Sequence, residues 1–196
     1  MAYAERLFNE LDAKPLDRHL LNRFAESMKG KGLVADMGCG PGHVAKYLHL
    51  HGVEMCGIDI SPEMIRIAKG MSPEIDFKVG DMLSLDIADG SFAGIVAFYS
   101  IVHFDSSELA TALSECRRVI KDGALILLAF HIGDEVIHLD DLFDRPVDLD
   151  FRFHQTANVT NGLKSHRFTV IESIEREPYE GAEHPSRRSY LLARAD

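Results

Sequence analysis

The chain has 196 residues, enough for one domain with a sizeable core, and its 46% apolar and 27% charged residues are ordinary for a soluble globular protein. A formal charge of -10 argues against a nucleic-acid surface, which usually carries a basic patch. Cys39, Cys56 and Cys116 form no C-x-x-C pair, and no apolar run reaches membrane-spanning length or makes a signal-peptide core. A disulfide framework, a structural zinc site and a membrane partner are therefore not expected, and a reducing cytoplasm fits best.

The first thirty residues read as a helical cap in two pieces. Leu7, Leu11, Leu16, Leu20, Leu21 and Phe24 recur at helical spacing, and Pro15 separates the pieces. Gly30-Lys31-Gly32 ends the second piece and admits a strand over 33–37, followed by a glycine-rich turn and a helix over 44–50. A second apolar run over 53–58 ends in Asp59. Ser61-Pro62-Glu63 then starts a helix: a cap, a proline at the first helical position and an acid in the first turn.

A third strand spans 75–79 and a fourth 92–99. A helix over 106–119 sets Leu109, Leu113 and Cys116 on one face, and a fifth strand covers 124–130 after the turn Lys121-Asp122-Gly123. Strands alternating with helices predict an α/β fold: a Rossmann-like, seven-stranded, mostly parallel sheet with helices on both faces. Ligands then bind in the crevice beyond the carboxyl ends of the strands. After His131 the rhythm breaks, and residues 131–156 read as a lid insert. A helix over 157–166 and two strands over 168–174 and 189–195 close the chain, and strands with no helix between them run antiparallel.

The densest signal is Asp36-Met37-Gly38-Cys39-Gly40-Pro41-Gly42 at the end of the first strand. Glycines at such a turn permit positive φ and let a ligand lie against bare backbone. A dinucleotide fingerprint beginning at Gly38 and Gly40 would need its third glycine where His43 stands, and no Gly-Lys-Ser/Thr follows for a phosphate loop. Asp36 itself disfavours a pyrophosphate and favours a cationic ligand.

This D-x-G-x-G-x-G run resembles the first motif of the class I S-adenosylmethionine (SAM)-dependent methyltransferases. The resemblance covers residues 30 to 130. It implies that Asp36, Gly38, Cys39, Gly40 and Gly42 hold the cofactor and that Asp59, with Ile60 and Met64 nearby, takes the ribose hydroxyls. A carboxylate suits that task because it only accepts and can take two donors. Asp81 and Met82 match the adenine pair, a carboxylate for the exocyclic amine and a thioether against the ring. Tyr99 and Ser100 match the lining of the methionine end. Phe92-Ala93 departs from relatives that carry an aspartate after the aromatic residue.

The implied reaction moves the sulfonium methyl to an O, N or C nucleophile and leaves S-adenosylhomocysteine. A base is needed only where the acceptor must lose a proton, and His103 and His131 are the candidates. His131, Asp134, His138, Asp140 and Asp141 cluster in sequence, but a solvated acidic lid accounts for them better than a metal site. No Asp/Asn-Pro-Pro-Tyr/Phe signature follows the fourth strand, where Phe98-Tyr99-Ser100-Ile101 stands, and no Pro-Cys nucleophile is present. These absences and the acidic charge favour a small-molecule acceptor. Tyr3 and Phe8 of the cap, with Arg152, His154, Tyr179, Arg176 and His184, are candidate contacts to it. The alternatives are a protein-directed methyltransferase and a non-catalytic SAM-binding regulatory module.

Overall fold

The computed structural model describes residues 10–141, 146–181 and 183–196. Tyr3, Leu7 and Phe8 lie outside the described residues. The cap contributes a single helical turn, Glu10–Ala13, and helix α1, Pro15–Met28. Pro15 occupies the first helical position, where its missing N–H costs nothing and its fixed φ suits the helix. Leu20, Leu21, Phe24, Ala25 and Met28 form the buried stripe of α1. A wholly buried side chain such as Leu21 stabilises the fold by about 1.5–3 kcal/mol.

The expected alternation then follows as β1 (Val34–Met37), α2 (His43–Leu50), β2 (Met55–Asp59), α3 (Pro62–Met71) and β3 (Asp76–Val79). Next come β4 (Phe92–Phe98), a helical turn Ile101–His103, α4 (Ser106–Val119) and β5 (Ile120–His131). The link from β3 to β4 is built of turns. It is held on α4 by Arg118, whose guanidinium donates to the carbonyls of Leu85 and Ile87. The turn expected before β5 lies within the strand as a bulge: pairing jumps from Phe92↔Ile120 to Gly94↔Leu125.

The sheet has seven strands in the order β3-β2-β1-β4-β5-β9-β8. Strands β1 to β5 pair in parallel, and β9 (Arg188–Ala195) runs antiparallel between β5 and β8 (Phe168–Arg176). Alternate residues serve opposite faces, as the strand period requires. Val34, Val96, Leu127 and Ala129 pack with α1, α2 and α3. Ala35, Met37, Ile95, Ile126 and Leu128 pack with α4 and with α5 (Thr156–Ser165). Both faces are covered, so the open polar groups gather at the strand ends.

The insert is a hairpin, β6 (Val136–Asp141) and β7 (Pro146–Arg152), forming a separate two-stranded sheet. Its β7 end is pinned to the turn after β4, where His154 Nε2 donates to the Ile101 carbonyl at 3.0 Å. His103 Nδ1 donates to the Asp150 carbonyl at 3.1 Å. Because β9 is antiparallel, its first residues lie at the same edge as the carboxyl ends of β4 and β5. His131 pairs with Arg188, and Ala129 with Tyr190.

Candidate active site

The glycine loop is held under tension between two strands and a helix. The N–H groups of Gly38 and Cys39 both donate to the Ile58 carbonyl of β2, at 2.8 and 3.0 Å. An added Cβ at Gly38 would meet Ser100 Cβ at 2.4 Å, and one at Gly42 would meet the Phe77 ring at 2.6 Å. Those two glycines are packing positions. Gly40 differs: its φ is +52° and a Cβ there would meet nothing within 4 Å. The open space above Gly40 is where a ligand can reach the backbone.

Helix α2 has a glycine at its N-cap and no side-chain cap of its own. Asp36 supplies one from β1, accepting the Ala45 N–H at 3.0 Å. Asp36 is 2% exposed, and burial pushes its carboxyl up to about 7, against the pull of His43. Cys39 beside it is inert, because burial and the neighbouring Asp36 and Asp59 carboxyls push its thiol far above the ordinary range.

Asp59 spans the first two loops. Its Oδ2 accepts the Gly40 N–H at 2.8 Å and its Oδ1 accepts the Ser61 N–H at 2.8 Å. A carboxylate has about four acceptor positions, so two remain for a ligand diol. Ile60 next to it is 68% exposed and Val79 at the end of β3 is 55% exposed, an apolar shelf beside Asp81. Asp81 Oδ1 accepts the Leu83 N–H at 2.8 Å. Met82 is 7% exposed and packs into the core, and Met64 sits half-buried in the first turn of α3.

Tyr99 and Ser100 close the far side. Tyr99 has a φ of 54°, and its N–H donates to the Ala129 carbonyl at 2.7 Å. Ser100 Oγ is buried against Gly38 without a hydrogen-bond partner. The histidines after β4 and at the end of β5 differ in their surroundings. His103 uses Nδ1–H on a carbonyl, which can only accept, so its Nε2 keeps a lone pair. His131 is stacked on Phe153 with centroids 5.0 Å apart, and burial, then Arg188, push its pKa down to about 3. Ser186 Oγ accepts from Arg188 Nη1 at 2.7 Å and is hydrogen-bonded to His131 Nδ1 at 2.7 Å. His131 is thus a neutral ring anchored through Nδ1.

The acceptor-side candidates scatter. Arg152 turns back to Asp150 at 2.7 Å, and His154 is buried under the hairpin. Tyr179 OH accepts the Leu16 N–H at 3.1 Å, with the Arg176 guanidinium 4.1 Å above its ring. His184 meets the His131 and Phe153 rings edge-on. Among the described residues no three His, Cys, Asp or Glu side chains are grouped to hold a metal, and His138 pairs with Asp140 and Asp150. No helix among them is long and apolar enough to cross a membrane.

Missing from the sequence reading is a buried polar cluster behind Tyr99, formed by Asp17, Arg176, Glu183, Arg188 and Tyr190. A signal for it existed. Asp17 falls on the apolar stripe of α1, three, four and seven residues before Leu20, Leu21 and Phe24.

An open backbone position beside a carboxylate with acceptor positions to spare, at the carboxyl edge of a parallel sheet, is the ligand crevice of an open α/β fold. The family model described as "Methyltransferase domain" matches residues 34–123. An uncharacterised methyltransferase of Bacillus mycoides is 30% identical over 149 residues, covering 74% of this chain and 68% of that protein. The chain spans 65% of an uncharacterised methyltransferase of Alkaliphilus oremlandii, at 28% identity over 74% of its own length. Ajmaline N-methyltransferase of Rauvolfia serpentina is 34% identical over 107 residues, 50% of this chain and 35% of that one. A solved SAM-dependent methyltransferase of Methanosarcina mazei superimposes with a TM-score of 0.77 at 20% identity, over 87% of this chain and 95% of that one. The chain belongs to the class I SAM-dependent methyltransferase family.

Proposed function

We propose that the protein is a single-domain enzyme that methylates a small-molecule acceptor at an O, N or C nucleophile, in the cytoplasm. The observation that carries the cofactor side is the geometry at Gly40 and Asp59: open backbone and a carboxylate with acceptor positions to spare, 19 residues apart and bonded to each other. Gly38, Gly40 and Gly42 would shape the cradle, and Asp36 lies beneath it. Asp59 would accept the ribose hydroxyls, with Cys39, Ile60 and Met64 around them. Asp81 would face the adenine end, with Met82 not against the ring as the resemblance implies but packed in the core beneath the turn, and Tyr99 and Ser100 would face the methionine end. When bound, SAM supplies a methyl on a sulfonium that is already activated, so alignment and exclusion of water are the protein's main tasks.

On the acceptor side, His103 Nε2 has the free lone pair a general base requires, and His131 is a neutral ring one strand away. The small-molecule reading is supported by the acidic charge and by the likeness to ajmaline N-methyltransferase. Calorimetric titration with SAM, S-adenosylhomocysteine and NAD tests the cofactor assignment. Binding of the first two and none of NAD is expected, and Asp59→Ala should weaken SAM by about 1–3 kcal/mol. An unchanged affinity in that variant would remove Asp59 from the ribose. His103→Gln should then slow turnover and leave SAM affinity intact.

A further inference from the structure

Tyr99 combines an unfavourable backbone with an unusually well-anchored side chain. A φ of 54° on a tyrosine is strained and persists only where the surroundings enforce it. The enforcing group comes from the other end of the chain. Asp17, in the first turn of α1, is 0% exposed. Its Oδ1 accepts the Tyr99 phenol at 3.1 Å, and its Oδ2 accepts the Tyr190 phenol at 2.7 Å and Arg176 Nη2 at 3.0 Å. Arg176 Nε also donates to the Tyr190 oxygen at 3.0 Å. The Tyr99 hydroxyl also lies 3.1 Å from the Tyr190 hydroxyl, so Asp17 holds the Tyr99 phenol directly through Oδ1 and again through Tyr190, using both of its oxygens.

We propose that Asp17 is a positioning residue of the cofactor site: through the Tyr99 phenol it fixes the turn after β4 that faces the methionine end of SAM. The connection is contiguous. Tyr99 leads directly to Ser100, whose Cβ presses on Gly38 of the glycine loop and whose hydroxyl is buried there without a partner. Shifting the Tyr99 turn therefore shifts the wall opposite the loop. The N-terminal helix thereby becomes part of the binding site although none of its residues belongs to the glycine motif. This inference rests on the assignment of SAM to the Gly38–Gly42 loop.

The test is calorimetry with S-adenosylhomocysteine on the wild type, Tyr99→Phe, Asp17→Asn, the double variant and Asp59→Ala, with a thermal melt of each. Tyr99→Phe removes one hydroxyl and keeps the ring, and it should fold. Each of the two single variants should weaken binding about 3- to 30-fold, and the double variant should be no weaker than Asp17→Asn alone, because both act through one contact. A merely structural role would lower the melting temperature and leave the affinity of the folded protein unchanged. If Tyr99→Phe binds within about twofold of the wild type while Asp59→Ala fails, the proposal is overturned and the cofactor site stands. That comparison overturns the proposal even if Asp17→Asn does not fold. A wild type that binds no S-adenosylhomocysteine would overturn both.

Discussion

Gly40 and Gly42 lie two residues apart in the same loop, and their substitution should fail in different ways. Both have positive φ, but only Gly42 is pressed against a ring, with Phe77 2.6 Å from a built Cβ. Gly40→Ala should cost about 1–2 kcal/mol of stability from backbone strain alone and abolish SAM binding by filling the open space. Gly42→Ala should cost about 3 kcal/mol or more, because strain and overpacking add. Denaturant melts and SAM titrations of the pair separate the two roles. Asp36 gives a second prediction at this scale. Its carboxyl is raised to about 7 by burial, so in the folded protein it holds a proton that the unfolded chain releases at much lower pH. The stability it contributes is full below about pH 4 and is lost as pH rises towards 7. Asp36→Asn is isosteric and cannot ionise. Relative to it, the wild type should lose a few kcal/mol between pH 4 and pH 8, measured by chemical unfolding across that range. Parallel curves would show that Asp36 ionises normally.

Helix starts carry much of the site's order, and they are built from short-range chemistry. In α3, Ser61 Oγ accepts the Met64 N–H at 3.3 Å while the Ser61 N–H donates to Asp59. Ser61→Ala removes the first bond and spares the second. It should cost about 1 kcal/mol in a urea melt and leave SAM affinity unchanged, since Asp59 keeps its backbone donor. In α4 the capping box of Asp105 and Glu108 is complete, and it fixes the turn that carries His103. These starts were legible because caps, proline and first-turn acids act within four residues of sequence. The strand ends were legible for the same reason, as apolar runs closed by Asp36, Asp59 and Asp81. The bulge that absorbs Lys121 to Gly123 was not, since only pairing with β4 shows that the strand resumes on the same ladder.

At the scale of the molecule, the first helix and the last strands are clasped by buried charge. Arg176 meets Asp17 at 3.0 Å and takes Glu183 with two nitrogens, at 2.6 and 2.7 Å. Arg176→Met would leave buried Asp17 without its cation and take the two-nitrogen partner from Glu183, which keeps Lys14 at 3.8 Å and Arg188 at 3.9 Å, a loss of about 3–5 kcal/mol. Equilibrium unfolding should show it. The same clasp brings Tyr190 to Tyr99, residues 91 positions apart.

By itself, the sequence determined the strand and helix order, the glycine loop and the acids at successive strand ends. Each of these is written in contiguous residues whose φ preferences, caps and apolar periods act locally. Only the tertiary structure decided that β9 enters between β5 and β8, that the insert folds into a separate hairpin stapled by His103 and His154, and that His103 Nε2 keeps a lone pair. It also decided that Asp17 belongs behind the site. A buried carboxylate is tolerated where its donors converge, and here the donors come from three strand ends that the chain reaches between 82 and 173 residues later.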